Sequence, residues 1–161
     1  MKKIVGLLLL VTVISTCNAQ YRVQKAQAFF TAAMPGMAMQ DENGNTINPQ
    51  PIIERFIYIE CRFTGKPVID TIFYNSISFK ALVANKEEST TIIGVNANNG
   101  KTINLLPKKG NKIWRVDLQQ ITDTTLTHQA VKKISIKGKL GKIKFSYALN
   151  AETQLATPDI Y

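Results

Sequence analysis

Apolar and polar residues alternate with a period of two along most of this chain, the spacing that sends successive side chains to opposite faces of a β-strand. The longest instance lies in residues 131–149. Ile134, Ile136, Ile143, Phe145, Tyr147 and Leu149 recur at every second position on either side of Gly138, Lys139, Leu140 and Gly141, which predicts one β-hairpin turning at those four residues. Lys133, Ser135, Lys137, Lys142 and Lys144 then fall on its other face.

The same reading places further strands upstream. Residues 21–31 form a first strand. Residues 52–63 form the clearest one, with Ile53, Ile57, Ile59, Cys61 and Phe63 inward, and Glu54, Phe56, Tyr58, Glu60 and Arg62 outward. Arg55 interrupts the inward set and is expected at the strand's wet end. Residues 68–83 exceed one ordinary strand and are expected to bend near Asn75 and Ser76. Residues 91–96 and 102–106 flank Asn98, Asn99 and Gly100, a hairpin signal. Residues 113–118 carry Trp114 as a candidate core anchor. Periodicity lapses in residues 34–51, where Asn43-Gly44 suggests a small projecting hairpin, and again in residues 119–130. Residues 150–161 are polar and read as an extended or frayed end. Short strands separated by glycine turns predict an all-β fold, an antiparallel β-sandwich of immunoglobulin-like outline, with a small β-barrel as the alternative.

The first twenty residues change the picture. Lys2 and Lys3, an apolar run from Ile4 to Ile14, and small or polar residues through Ala19 follow the plan of an export signal. The run is too short to span a bilayer. Residues 1–19 are therefore expected to be a signal peptide cleaved after Ala19, leaving residues 20–161 as one domain. Residues 14–17 also resemble a lipoprotein box, so a lipid anchor at Cys17 is the alternative. The mature domain is then periplasmic, cell-surface or secreted. Only Cys61 remains as a thiol, so no internal disulfide can form and stability must come from burial. Cys61 shares the apolar parity and reads as a small buried hydrophobe.

Charge is unevenly spread. The formal net charge is +9, and between Lys101 and Lys144 only Asp117 and Asp123 oppose a long series of lysines and Arg115. Lys133, Lys137, Lys139, Lys142 and Lys144 are the candidate contact surface for a polyanion or an acidic envelope partner. Lysines on an edge strand also protect a sheet from edge-to-edge aggregation, a structural role that needs no ligand. Export and the absence of aromatics among the lysines argue against nucleic acid.

Three further features bear on function. Met34, Met37 and Met39 supply soft thioethers at a spacing that resembles the methionine motifs of exported copper-handling proteins, a resemblance that implies Cu(I) as the ligand. The same residues serve equally well as apolar filler. Phe56 and Tyr58, on the strand's outward parity, form a candidate apolar partner patch. His128 lies near Asp123, but there is no nucleophile turn and no paired metal-ligand motif, so no enzyme is expected. The expected function is an exported binding or structural module without catalytic activity.

Overall fold

The computed structural model describes residues 22–34, 39–40, 42–44, 46–47, 51–87, 91–120, 131 and 133–157. They form twelve strands: β1 (Val23–Ala33), β2 (Met39–Gln40), β3 (Thr46–Ile47), β4 (Ile52–Cys61), β5 (Val68–Tyr74), β6 (Ile77–Glu87), β7 (Thr91–Val95), β8 (Thr102–Leu105), β9 (Lys112–Gln120), β10 (Ile134–Leu140), β11 (Ile143–Leu149) and β12 (Glu152–Leu155). No helix occurs among the described residues, so the expected all-β class is observed.

Eight strands join in one sheet, in the order β11-β10-β5-β6-β9-β4-β1-β12. β2–β3 and β7–β8 are separate hairpins. Every neighbouring pair in the large sheet is antiparallel except β1 and β12, which run parallel with Ala28 opposite Glu152 and Thr31 opposite Leu155. The sheet is thus mixed where an antiparallel one was expected. The reason lies in its two ends. β11 and β12 are consecutive in sequence, separated by Asn150 and Ala151, yet they occupy opposite edges of the sheet. The sheet curls until β11 approaches β1, and the chain bends across the seam, pairing with β10 before the bend and with β1 after it. Counting β11 and β12 as one bent strand leaves seven positions around the curl. An odd ring of up-and-down strands must contain one parallel pair, and β1–β12 is that pair.

Two apolar cores result. The concave face encloses Ile57, Ile59, Cys61, Ile72, Tyr74, Trp114, Val116, Ile134, Ile136 and Leu140. On the convex face, β7–β8 lies over β1, β4 and β9 and buries Phe29, Phe56, Tyr58, Leu105, Ile113 and Leu155. β7 also caps the outer edge of β12, through the Ala156 N–H to Val95 carbonyl bond (2.8 Å) and the Ala97 N–H to Gln154 carbonyl bond (3.0 Å). One end of the sheet is therefore covered.

Several turns follow from single residues. β5 and β6 are joined at Asn75 and Ser76, as the run length required, with Asn75 at φ 54°. Asn tolerates that conformation better than most residues because its side chain can bond locally. Here the Asn75 carboxamide oxygen accepts from the Lys133 N–H at 3.2 Å, fixing the start of β10. Asn43 and Gly44 lie between β2 and β3, the small hairpin expected there.

Two expectations are corrected. Residues 150–161, expected to be an extended or frayed end, contain the paired strand β12, with residues 158–161 outside the described residues. Arg55 is not at a wet end: it is buried, facing the concave core, where its guanidinium meets Glu152 and lies 5.7 Å from the centroids of the Phe30 and Tyr74 rings.

Candidate functional site

The β10–β11 hairpin keeps the expected division of faces but turns two residues later. Ile134 pairs with Leu149, Ile136 with Tyr147, Gly138 with Phe145 and Leu140 with Ile143. The turn is Gly141-Lys142, with Gly141 at φ 62°, the conformation that favours glycine at the first central position of a tight hairpin. Leu140 and Lys139 thereby join the strand. The polar face holds Lys137 opposite Ser146 and Lys139 opposite Lys144, the latter setting two lysines directly across the strand pair. Lysines directly opposite each other cost roughly 0.2–1 kcal/mol. Lys142 stands in the turn beside them, whereas Lys133 shares their parity but lies six residues from Lys139, about 20 Å along the strand.

Gly138 shapes this face. β5 and β10 change register between Lys137 and Gly138, which pair with Thr71 and Ile69, leaving Asp70 as the extra residue of a bulge. A side chain at position 138 would collide with the Val68 carbonyl oxygen and approach the Phe145 ring to 3.0 Å. Only glycine lets the two backbones come this close. The outcome is a shallow groove bordered by Lys137, Lys144, Ser146 and Phe145, with Asp70 as its one carboxylate.

The outer side of β11 lies at the seam of the curl, near β1. β11 pairs with β10 alone among the described strands. Its core-facing side chains Phe145, Tyr147 and Leu149 are only partly buried, and Ile143 is 39% exposed. Their partners on β10, Ile134, Ile136 and Leu140, are at most 1% exposed. The concave core is buried more completely on the β10 side than on the β11 side.

The other candidate residues are distributed differently. Phe56 and Tyr58 form no surface patch: each is 6% exposed beneath β7–β8, packed against Phe29 at centroid distances of 6.0 Å. Alternation correctly put them on the face opposite Ile57 and Ile59, and the second hairpin covers that face. Met34 is exposed and Met39 contributes backbone to β2, while Met37 lies outside the described residues, as do Cys17, Asp123 and His128. The methionine set thus lies largely outside the described residues. Among the described residues no group of His, Cys, Asp and Glu could hold a metal ion.

Two buried polar groups escaped the sequence reading. Glu60 is 7% exposed and its Oε1 accepts from the Lys108 N–H at 2.9 Å and from Asn111 Nδ2 at 2.5 Å. It ties the β8–β9 turn to the sheet. Arg55 and Glu152 make an internal ion pair, and burial pushes the Glu152 carboxyl above its usual range even though Arg55 pulls the other way. Cys61 is fully buried, and burial raises its thiol to about 11, which removes the thiolate that reactivity needs. Each of these groups has a structural role.

Among the described residues no helix is long and apolar enough to cross a membrane. Comparison with protein-family models, with curated proteins and with solved structures gives no match.

Proposed function

We propose that this protein is an exported, non-catalytic binding module of the cell envelope or extracellular space, and that the lysine face of its β10–β11 hairpin contacts an acidic partner. The observation that carries this reading is the clustering of Lys137, Lys139, Lys142 and Lys144 on one short hairpin, two of them directly paired. Lysines gathered on one hairpin raise the local potential and recruit carboxylates, sulfates or phosphates. The signal-like first nineteen residues support export, with cleavage after Ala19 preferred to lipid attachment at Cys17.

Retention on immobilised polyglutamate, measured against salt, tests the proposal. The natural chain should be held at low ionic strength and released as salt rises. Lys137/Lys139/Lys144→Gln should weaken retention and flatten the salt dependence, since each lost contact removes about one counterion from the slope. Identical retention by the two chains would refute the lysine face as the contact.

A further inference from the structure

We infer that the basic end of the curled sheet is a docking surface for an anionic lipid bilayer. The inference rests on the acidic-partner reading above for its hairpin lysines and names that partner as a membrane surface.

Strand register gathers at one end of the sheet bases that are scattered in sequence. Cys61 closes β4 opposite both Val23 and Lys112, so the start of β1, the end of β4 and the start of β9 lie together. β6 finishes at the same end, with Glu87 opposite Ile113. β5 begins there with Val68 opposite Lys139, which brings in the β10–β11 turn. The turns adjoin one another: a carbon added at Gly110 would sit 3.8 Å from Arg62 Nε, and one added at Gly141 would sit 3.5 Å from the Phe63 ring.

This end is strongly positive. Arg22 before β1, Arg62 and Lys66 after β4, and Lys108 and Lys109 before β9 are all exposed, and they join the lysines of the hairpin tip. Glu60 is buried and bonded, which leaves Asp70 and Glu87 as the opposing carboxylates among the described residues of these strand ends. At the other end the described strands bring Lys80 and Lys133 together with Glu54. Charge is therefore polarised along the strand direction, which orients a protein before it meets a charged surface.

Two apolar side chains among these bases favour a bilayer over a soluble acidic chain. Val68 is 55% exposed and Ile143 39% exposed. Cations that meet lipid phosphates while neighbouring apolar groups enter the headgroup boundary are the arrangement of an interfacial contact. The N-terminal segment leaves from the same place. At most about 17 Å of chain separates Arg22 from Cys17, so a lipid there would hold this end to the membrane. Cleavage after Ala19 would instead leave a cationic α-amino group beside it.

Vesicle flotation with the full chain tests the inference. Vesicles of phosphatidylcholine with about one-third phosphatidylglycerol should carry the protein upward, and phosphatidylcholine alone should not. Lys66/Lys108/Lys109→Gln, outside the hairpin, should weaken binding on the order of tenfold or more. Val68/Ile143→Ser should weaken it as well and leave polyglutamate retention unchanged. A nitrobenzoxadiazole label at Lys142→Cys should shift to the blue on the anionic vesicles, whereas one at Ser76→Cys, in the turn at the opposite end, should not. Equal binding to both vesicle types, no effect of either set of substitutions, or a shift at Ser76→Cys overturns the inference. Polyglutamate retention that depends on Lys137, Lys139 and Lys144 without vesicle binding would leave the lysine face standing and remove the membrane.

Discussion

Arg55 and Glu152, 97 residues apart in sequence, meet inside the curled sheet in a forked ion pair, with Nε to Oε2 at 3.2 Å and Nη2 to Oε1 at 3.5 Å. Both side chains are less than a tenth exposed. Arg55 belongs to β4 and Glu152 opens β12, so the pair reaches across β1 and fastens the strand that bends over the seam.

Removing Arg55 strands a carboxylate in the core. Arg55→Met should therefore lower stability by about 3 kcal/mol, the range seen when one partner of a buried pair is lost. Arg55→Met combined with Glu152→Leu should recover most of that loss, because neither charge is then left behind. Urea unfolding of the single and double variants measures both effects.

The same pair has a pH signature. Burial raises the folded-state pKa of Glu152 above its ordinary value of 4.5, with Arg55 offsetting part of the rise. The folded protein consequently holds this proton more tightly than the unfolded chain does. Its contribution to stability is complete below about pH 4.5 and is lost as pH rises through the elevated value. Stability profiles of the natural chain and Glu152→Gln should diverge in that window and run parallel above it.

Tyr74 has a fully buried ring, and its hydroxyl has no hydrogen-bond partner among the described residues. Burial, with a smaller contribution from Glu152, pushes its pKa far up. Tyr74→Phe deletes only the unpaired hydroxyl and should raise stability by about 1 kcal/mol. An unchanged or lower unfolding midpoint would show that the hydroxyl is satisfied in solution.

Gly138→Ala should cost about 1–3 kcal/mol, the range for forcing extra atoms into a packed site. The added carbon meets a backbone carbonyl, which cannot rotate aside as a flexible side chain can. Amide shifts in an NMR spectrum of the variant should concentrate in β5 and β10.

Cys61 should resist a thiol reagent in the native protein and react only on unfolding, since burial holds the thiol near 11. Labelling at the global unfolding rate is the expected outcome, and rapid native labelling at pH 8 would contradict it.

How far sequence reaches into this fold can be judged from individual strands. Alternation was enough to divide Ile134, Ile136, Ile143 and Phe145 from Lys137 and Lys144, because a period of two fixes which residues share a face. It could not say whether a face is covered. Phe56 and Tyr58 stood on the correct side, but the β7–β8 hairpin that buries them is brought in by long-range packing. Arg55 fell on the inward parity, and its carboxylate partner lies in a segment whose polar composition concealed a strand. The site divides in the same way. The lysines were legible locally, while the neighbours of their hairpin depend on strand order, which no local pattern encodes.

The parallel pairing of β1 with β12 also governs when this protein can finish folding. Val23–Ala33 and Glu152–Leu155 are the earliest and latest described strands in chain order, so β1 must wait for nearly every other strand to emerge before one of its flanks is satisfied. Contacts so distant in sequence slow folding. A chain delivered from its N-terminus, whether by synthesis or by passage through a membrane pore, would keep that flank unsealed until delivery was almost complete.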